Sequence, residues 1–356
     1  MNKYYIRGIQ QVGVGVKNLE ESWAWYRKYL GADLLIFDDN HTAEFMLPYT
    51  GGKPRPKRAI MAINIQGGGG FEIWNHQGIE PRYPGFDVQV GDLGIYSCKI
   101  KSRDVAAAHA FFLNENLNVS ELTRDPEGKP VFWLTDPWKN VFQITEGTGW
   151  FKKGKTPTGL ASGAVMGTSD IDKSLPVYTD ILGYTEVIYD KTDEFEDFKL
   201  LPGGKGRFRR ILLTHPEERM GGFGPILGPT QLELVQALDR NPRDIFEGRY
   251  WGEPGFIHLC FDIWGMDALR ETCKKKGKPF TVDSQASKNG ASFDMGDSAG
   301  LFSYIDDDHT LIEFVEGHRL PLVKAIGWEL DLTKRSPEKP LPRWILNALK
   351  TKRYKG

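Results

Sequence analysis

Residues 301–317 read LFSYIDDDHTLIEFVEG, and a related stretch at residues 131–147 reads VFWLTDPWKNVFQITEG. The two align without a gap. Each is typical of a strand, an acidic turn and a second strand, because β-branched and aromatic runs flank a cluster of turn residues. Glu313 stands in the middle of the last strand, and Gln143 stands at the same place in the other copy. An isolated buried carboxylate is costly, so this shared place indicates a position built for a polar group.

A second repeat lies at the start of each half of the chain. IQQVGVGVKNLEESWAWYRKYLGADLLIFD begins at Ile9, and LASGAVMGTSDIDKSLPVYTDILGYTEVIYD begins at Leu160; both read as strand, turn, helix, Leu-Gly and strand. Gly31 and Gly183 follow those leucines and can end each helix in the left-handed conformation. In the first copy, apolar residues at helical spacing define one face of the helix: Leu19, Trp23, Tyr26 and Leu30.

Together the repeats divide the chain into four units, each read as β-α-β-β-β. An internal repeat of this kind is one supersecondary unit that the chain uses several times. The units begin near residues 8, 93, 160 and 255. We therefore predict an α+β fold, in which four βαβββ modules form two tandem domains with cup-shaped mixed sheets.

A stretch rich in Lys, Gly and Pro, KKGKTPTG at residues 152–159, separates the two halves. We predict one domain at residues 1–150, holding modules 1 and 2, and another at residues 158–318, holding modules 3 and 4. Residues 319–356 are Pro-rich and basic. We expect this tail to contain a short helix and to pack on the outside or fray.

Composition and charge argue against several classes of protein. The 356 residues carry a formal net charge of −1, so no field of one sign points to nucleic acid or to an anionic membrane. The widely spaced Cys98, Cys260 and Cys273 indicate neither a disulfide framework nor a CxxC metal motif. No apolar signal region or transmembrane run is present in the sequence. We expect a soluble cytoplasmic protein with a small-molecule partner, either a monomer or a weak homodimer.

The chain resembles the vicinal oxygen chelate superfamily, which includes glyoxalase I, bleomycin-resistance proteins and extradiol dioxygenases. The resemblance is carried by QVGVGVKNLEESWAWYRKYLG, by AVMGTSDIDKSLPVYTDILG, and by the strand-turn-strand endings DPWKNVFQI and DDDHTLIEF. It covers nearly the whole chain to about Gly317. Members build each cup from two βαβββ modules and place metal ligands on the first and last strands of a module. The resemblance implies ligands at the same positions here.

Strand alternation assigns those positions to residues of the outer modules. In module 1 the valines of the first strand suit the helix side, which leaves four residues for the cup side: Ile9, Gln11, Gly13 and Gly15. Glu72 is the polar residue of the last strand. In module 4, His258 and Glu313 face the cup on the first and last strands. The first-strand residues expected on the helix side are Ile257, Leu259, Phe261 and Ile263.

The inner modules offer fewer ligands. Module 2 offers Gln143 on its last strand and no firm ligand on its first. Module 3 offers Gly163 on its first strand, which supplies no ligand atom, and Glu233 on its last.

Three pairings of modules would bring different residues together. Modules 1 and 4 fill all four positions, in the Gln/Glu/His/Glu pattern that glyoxalase I enzymes of the superfamily use: Gln11, Glu72, His258 and Glu313. Modules 1 and 2 leave one position empty. Modules 3 and 4 give Glu/His/Glu, with Glu233 in place of Gln11 and Glu72. We favour the outer pairing, which makes modules 2 and 3 a cup without a full ligand set.

Two carboxylates, an imidazole and an amide oxygen suit a divalent ion such as Zn, Ni, Mn or Fe, and the cation balances the buried carboxylates. The resemblance implies a metal-dependent lyase or isomerase of glyoxalase I type. The metal would stabilise an enediolate of a small substrate with vicinal oxygens. Glu313 and Glu72 would be the catalytic carboxylates, with Glu313 moving the proton. A lone strand glutamate is more often a surface residue and a lone histidine a core residue, so the prediction depends on all four positions together.

Two other functions remain open. An extradiol-type dioxygenase of the superfamily takes two histidines and a glutamate, but Gly163 stands here where one histidine is needed. A metal-free binding protein of bleomycin-resistance type needs no filled ligand positions, and the four-residue set counts against it.

Several loop features also carry predictions. GGGG at residues 67–70 is interpreted as a hairpin connection to the Glu72 strand, because no P-loop Lys-Ser/Thr follows it. The loop at residues 215–230 is read as a surface loop, with a wall over a cup as the alternative. Trp74 shares a face with Glu72 and is expected to line a pocket or a core. Three histidines in turns are expected to be exposed: His215, His309 and His318.

Overall fold

The first helix shows how the repeated unit is built. Helix α1 (Leu19–Leu30) begins after Asn18, whose side-chain oxygen accepts a hydrogen bond from the backbone N–H of Glu21 at 3.2 Å. It ends at Gly31, which has a φ of 68°. The helix lies between β1 (Tyr5–Gly15) and β2 (Leu34–Ala43), in the order that the repeat predicts.

The computed structural model describes residues 3–218, 220–285, 293–294, 299–323 and 328–354. Module 1 continues with β3 (Arg55–Ile63) and β4 (Gly70–His76). Module 2 contains β5 (Gly94–Ser102), α2 (Val105–Asn114), β6 (Asn118–Val119), β7 (Thr123–Arg124), β8 (Pro130–Thr135) and β9 (Val141–Glu146). None of the described helices is long and apolar enough to cross a lipid bilayer.

The second half repeats the plan. Module 3 contains β10 (Thr158–Gly167), α3 (Ile171–Pro176), β11 (Glu186–Asp193), β12 (Phe208–Thr214), α4 (Gly224–Leu227) and β13 (Gln231–Ala237). Module 4 contains β14 (Gly255–Trp264), α5 (Met266–Lys275), β15 (Val282–Asp283), β16 (Phe293–Asp294), β17 (Ala299–Asp307) and β18 (Thr310–Val323). The tail adds β19 (Trp328–Asp331) and α6 (Arg343–Ala348).

The strands form two curled mixed sheets, and each sheet combines two modules. The first sheet has the order β15-β17-β18-β14-β1-β4-β3-β2, with β16 on β17 and β19 on β18, so it joins modules 1 and 4. The second has the order β11-β12-β13-β10-β5-β9-β8-β6, with β7 on β8, and joins modules 2 and 3. The outer pairing of modules is therefore confirmed. The domain boundaries at residues 150 and 158 stay a prediction, and each sheet draws one module from either side of them.

The central core lies where the helices meet the apolar faces of both sheets. The buried ring of Tyr26 on α1 lies 5.3 Å from the Phe71 ring of the first sheet and 6.0 Å from the Phe142 ring of the second. The core also buries strand residues on the helix side, including Val12, Val14, Leu259, Phe261, Ile312 and Phe314. Residues that alternate with these, Glu313 among them, lie on the other, concave face of their sheet.

Three irregularities in the pairing of β1 with β14 change the alternation on these strands. The register shifts between Ile6 and Gly8, between Ile9 and Gln11, and between Gly13 and Val14. As a result Ile9 joins the central core, and Ile257 packs in a cluster on the cup side. The prediction for these two residues was wrong, because a strict period of two does not continue through a bulge.

The described part of the C-terminal tail packs against the first sheet. Strand β19 pairs with β18, and α6 buries Ile345 and Leu346 in a cluster that includes Ile63 of β3. Farther along, the ring of Tyr354 lies 4.8 Å from that of Trp23 on α1. The predicted short helix is present, while the last two residues of the tail lie outside the described part of the chain.

Candidate metal centre

Three strands at the middle of the first sheet bring Glu72, His258 and Glu313 together. Gly13 on β1 lies opposite Glu72 on the parallel β4 and opposite His258 on the antiparallel β14. Glu313 lies on β18, beside β14, opposite Cys260. His258 Nε2 is 3.2 Å from Glu72 Oε2 and 3.2 Å from Glu313 Oε2, and one ligand atom of each residue lies within 4.8 Å of the others.

Gly13 makes room for the imidazole. A Cβ atom at Gly13 would lie 2.6 Å from Cε1 and 2.7 Å from Nε2 of His258, closer than side chains approach one another. Gly15, two residues along the same strand, is crossed by the backbone of Glu253, whose carbonyl oxygen would lie 2.0 Å from an added Cβ. The glycines of the first strand therefore open the cup for the histidine and for the segment that covers it.

Hydrogen bonds orient the carboxylates. Gln11 Nε2 donates to Glu72 Oε2 at 3.0 Å, and the hydroxyl of Tyr304 donates to Glu313 Oε1 at 2.7 Å. Four buried atoms of the residues at the centre have no hydrogen-bond partner: Gln11 Oε1, His258 Nδ1, His258 Nε2 and Glu313 Oε2. Buried polar atoms are normally satisfied, so the centre holds lone pairs that the protein itself does not use.

These donors fit a divalent cation. Zinc binds histidine nitrogen and carboxylate oxygen at about 2.0–2.2 Å, so donor atoms about 3 Å apart can be neighbours in one coordination sphere. The set of oxygen and imidazole donors suits Zn, Ni, Mn or Fe(II) better than a soft thiophilic ion. The first sheet thus contains a buried Glu-His-Glu group that can bind a metal, with the amide of Gln11 beside it.

The charges at the centre act strongly on one another. Burial raises the pKa of the Glu313 carboxyl, and the charge of Glu72 raises it further, while His258 and Tyr304 oppose the rise. Burial lowers the pKa of His258, but Glu313 and Glu72 outweigh that effect and leave it raised. Two close carboxylates in a buried space attract positive charge, which is the electrostatic condition for holding a cation.

Glu233, the alternative ligand, lies in the second sheet within a buried ion network. Lys99 Nζ donates to its Oε2 at 2.6 Å, while Arg210 Nε and the Tyr189 hydroxyl donate to its Oε1 at 2.7 Å each. Burial alone would raise the pKa of Glu233, but Arg210 and Lys99 lower it to about 2. Modules 3 and 4 belong to different sheets, so the strand order separates Glu233 from His258 and Glu313.

On the concave face of the second sheet, the ammonium group of Lys99 takes the place that a cation would take on the concave face of the first sheet. Gln143, at the place that Glu313 has in module 4, also accepts a hydrogen bond from Lys99. At Gly163, the counterpart of Gln11, a Cβ would lie 1.9 Å from the backbone oxygen of Gln231 and 3.2 Å from Lys99 Cδ, so the close approach of the neighbouring strand is the main reason for the glycine. The place in the second sheet that is equivalent to the metal centre is therefore taken by an internal cation.

A cavity of about 290 Å³ opens beside the centre in the first cup. Much of its wall is aromatic or apolar: Phe37, Met61, Trp74, Phe223, Trp251 and Phe302. Its polar residues besides Gln11, Glu72, Tyr304 and Glu313 include Gln10, Asp39, His41, Lys57, Asp262 and Arg319. Pockets of this kind, apolar with a few convergent polar groups, typically hold small molecules.

Several cavity residues were missed from the sequence. Tyr304 lies directly opposite Glu313 on β17, and alternation along that strand was a signal that could have found it. Trp251, whose ring stacks on His258 with centroids 5.9 Å apart, comes from a loop without periodicity and carried no such signal. Trp74 lines the cavity and also packs against Trp251.

The loop predictions had mixed outcomes. The connection at residues 67–70 leads into β4, and Gly69 pairs with Ala161 of the second sheet. The loop at residues 215–230 contains α4 and supplies cavity wall at Ile226, so the alternative interpretation of that loop applies. His215 is buried, contrary to prediction, because its Nε2 accepts a hydrogen bond from the backbone N–H of Thr230 at 3.2 Å. The side chain of His309 is half exposed, as expected.

Comparisons with known proteins agree with this architecture. Residues 163–314 match the model of the Glyoxalase/Bleomycin resistance protein/Dioxygenase superfamily. The solved structure of glyoxalase I from Zea mays is 13% identical with a TM-score of 0.54, over 88% of this chain and 93% of that chain. A putative dioxygenase from Bacillus subtilis is 14% identical with a TM-score of 0.53, over 87% of this chain and 85% of that chain. No curated protein sequence matches significantly.

At these identities the likeness to solved structures shows the fold. Family model and structures agree on one class: the chain has the vicinal oxygen chelate fold of the glyoxalase, bleomycin-resistance and dioxygenase superfamily. It is a single chain in which four modules build two curled sheets, and that superfamily includes enzymes.

Proposed function

We propose that this protein is a metal-dependent lyase or isomerase of glyoxalase I type, acting on a small substrate with neighbouring oxygens. One observation carries the proposal. Glu72, His258 and Glu313 place ligand atoms within 4.8 Å of one another in a buried position beside a cavity, and His258 Nε2 and Glu313 Oε2 have no hydrogen-bond donor. Two buried carboxylates that share one imidazole at 3.2 Å are incompletely neutralised by the protein alone, and a cation between them is favourable.

The ligands would be the four residues of the outer modules: Gln11, Glu72, His258 and Glu313. A divalent cation held by them would supply Lewis-acid polarisation of a substrate oxygen. Gln11 already contacts Glu72 through its Nε2, which leaves its amide oxygen free for a cation.

Glu313 is the residue that we assign to proton transfer. The Tyr304 hydroxyl holds one of its oxygens at 2.7 Å and leaves Oε2 beside His258. A general base must first lie within reach of the proton that it takes. A carboxylate that is fixed in this way can take a proton from one substrate carbon and return it to the neighbouring carbon. Glu72, on the far side of His258, is the second catalytic carboxylate in the proposal.

Two tryptophans form the wall of the cup beside the metal centre. Trp251 covers one face of His258, and Trp74 packs against Trp251 with centroids 4.3 Å apart. Neither the sheet nor the metal ligands require a second copy of the chain, so we propose that a monomer is active.

Dioxygenase chemistry with a 2-His-1-carboxylate iron site is a poorer match. Among the described residues, the group of metal-ligand type at the centre contains one histidine and two glutamates. An iron site of the common facial type needs a second imidazole.

Metal content is the first test. The purified chain, reconstituted with Ni, Zn, Mn or Fe(II) in turn, should hold about one ion. Glu72→Gln, His258→Gln and Glu313→Gln should each lower the metal affinity by more than about a hundredfold, since even outer-shell partners are worth about 10–100-fold. Glu233→Gln is the matched control, at the same place in the second sheet, and should keep the ion. Loss of metal in the control alone would place the site in the second cup and refute the assignment.

Proton transfer is the second test. With methylglyoxal and a thiol in D2O, turnover of the hemithioacetal should exchange hydrogen at the carbon that receives the proton, observed by NMR. Glu313→Gln should abolish the exchange, while Tyr304→Phe, which frees one oxygen of Glu313, should reduce it and keep the metal. Oxygen uptake with catechols, in the absence of any exchange, would favour a dioxygenase instead.

A further inference from the structure

Asp262 is a second buried polar group on the wall of the cavity, distant from the metal ligands. It lies on β14 four residues after His258, so the two Cα atoms are roughly 13 Å apart along the strand. Only 3% of the residue is exposed, yet it lines the cavity. Its Oδ2 has no hydrogen-bond partner.

The surroundings of Asp262 leave this carboxylate incompletely compensated. Its nearest cation, Arg7, places Nη1 3.9 Å from Oδ2, too far for a hydrogen bond, and Arg7 Nε is itself without a partner. The residue opposite on β1 is Gly8, which has no side chain to cover the carboxylate. Burial raises the pKa of Asp262 to about 6, with Arg7 acting in the opposite direction.

The second sheet shows the same position in a satisfied form. Lys101 lies two residues after Lys99 on β5, as Asp262 lies two residues after Cys260 on β14, and both strands pair in parallel with the last strand of their module. The buried Lys101 donates to the backbone carbonyl of Gly149 at 3.0 Å. A charged residue thus stands at this place in both sheets. Lys101 is hydrogen-bonded, whereas Asp262, which lines the cavity, has a carboxylate oxygen without a hydrogen-bond partner.

We propose that Asp262 accepts a hydrogen bond from a hydroxyl or amino group that the substrate carries at a distance from its chelating oxygens. The inference rests on the proposed function, since it takes the cavity as the substrate site. The substrate class is then bifunctional: adjacent oxygens at the metal ligands, an apolar middle along the aromatic wall, and a hydrogen-bond donor at Asp262. A site built to bind a donor discriminates strongly against an analogue that lacks it, because its buried acceptor is then left unpaired.

Matched hydroxamic acids test this contact, because a hydroxamate presents two adjacent oxygens to a metal. The probes are heptanohydroxamic, 6-hydroxyhexanohydroxamic and 6-aminohexanohydroxamic acids, which differ only in a terminal methyl, hydroxyl or ammonium group, together with a set two carbons longer. Their affinities for the Zn-loaded protein are measured by calorimetry. In at least one of the two probe sets, the shorter or the longer, a probe with a terminal hydroxyl or ammonium group should bind at least about tenfold tighter than its methyl analogue.

Variants separate a binding role of Asp262 from a structural one. Asp262→Leu should remove the preference: the donor-bearing probes lose their acceptor, and the methyl probe binds tighter because it no longer leaves a buried carboxylate unpaired. The double variant Arg7→Met/Asp262→Leu, which leaves no unpaired cation, serves if the single variant fails to fold. Arg7→Met alone should keep the preference, since the carboxylate remains. Tighter binding of the amino probe than of the hydroxyl probe would identify a cationic donor, and the reverse a neutral one.

The outcomes distinguish this inference from the function on which it rests. Equal affinities of the methyl, hydroxyl and amino probes at both lengths, with metal bound, would overturn the role of Asp262 and leave the metal centre standing. A wild-type preference that survives in the folded Asp262→Leu variant would also overturn it. Failure to bind metal, or to bind any hydroxamate when loaded, would refute the proposed function and this contact together.

Discussion

Gly13 and His258 face each other across β1 and β14, and the missing side chain of the glycine is the space that the imidazole occupies. A Cβ at Gly13 would lie 2.6 Å from His258 Cε1. The same glycine lies opposite Glu72 on its other side. One residue without a side chain therefore separates Glu72 of the first module from His258 of the fourth module.

We predict that Gly13→Ala displaces His258 and weakens metal binding by at least about tenfold, or about 1.4 kcal/mol. The backbone can accept alanine at this position, since Gly13 does not have a positive φ, so the effect comes from the contacts of the added Cβ with the ring of His258 and with Ile257 Cγ1 at 2.7 Å. Metal affinity by competition with a chromophoric chelator is the measurement. Gly85→Ala, where an added Cβ meets nothing within 4 Å, is the control and should leave the affinity unchanged. Equal metal affinities of the wild type, Gly13→Ala and Gly85→Ala would mean that the imidazole of His258 can move aside without loss of binding.

The buried network of the second sheet predicts a dependence of stability on pH. The pKa of Glu233 is lowered from 4.5 to about 2 in the folded protein. Its contribution is therefore fully present above about pH 4.5 and is lost as the pH falls towards 2. Glu233→Gln leaves Lys99 without a carboxylate, while Arg210 keeps Asp197 at 2.7 Å, and should cost on the order of 3 kcal/mol at neutral pH.

Urea unfolding at pH 7, 5 and 3.5 measures the difference in unfolding free energy between the wild type and Glu233→Gln. This difference should shrink at the lowest pH. The exposed Glu186 on β11 provides a control, because Glu186→Gln should change stability little at any of these values. A deficit in Glu233→Gln that is the same at all three values would show that shape, not charge, makes this residue important.

The tail predicts a contrast between two neighbouring residues of α6. Leu346 is 1% exposed in the cluster that backs the cavity, whereas Trp344 is 61% exposed. Leu346→Ala should destabilise the protein by about 2–5 kcal/mol, since it removes a buried side chain and leaves a void. Trp344→Ala should cost less than about 0.5 kcal/mol. Thermal unfolding gives both values. A loss of stability in Leu346→Ala as small as that in Trp344→Ala would mean that the tail is docked less firmly than this packing indicates.

Much of the site could be predicted because a repeat fixes equivalent positions. Gln143 and Glu313 occupy one place in two copies of a pattern, so the sequence alone marks that place as polar and directed away from the core. Glu72 and His258 follow from alternation along short strands. The pairing of modules, by contrast, depends on contacts between distant strands, and sequence reasoning had to leave Glu233 open as an alternative ligand.

What could not be predicted has local physical causes. Ile9 and Ile257 were placed on the wrong faces because bulges on β1 and β14 interrupt the period of two. Trp251 reaches His258 from an irregular loop, and Leu349 of the tail reaches the cavity wall only because the tail folds back over the sheet. Such contacts are set by tertiary packing, for which no local sequence pattern exists.

The pairing of β1 with β14 also governs the order in which the chain acquires its structure during synthesis. Strand β1 ends at Gly15, and its antiparallel neighbour begins at Gly255. At roughly 5–20 residues per second, the ribosome takes tens of seconds to deliver the second strand after the first. The second sheet, whose modules are adjacent in the chain, can close meanwhile. The first sheet waits for the fourth module with an unpaired edge, so it is the later and slower part to fold. Nascent chains released before Gly255 should therefore aggregate or be held by chaperones more than chains released after Val323.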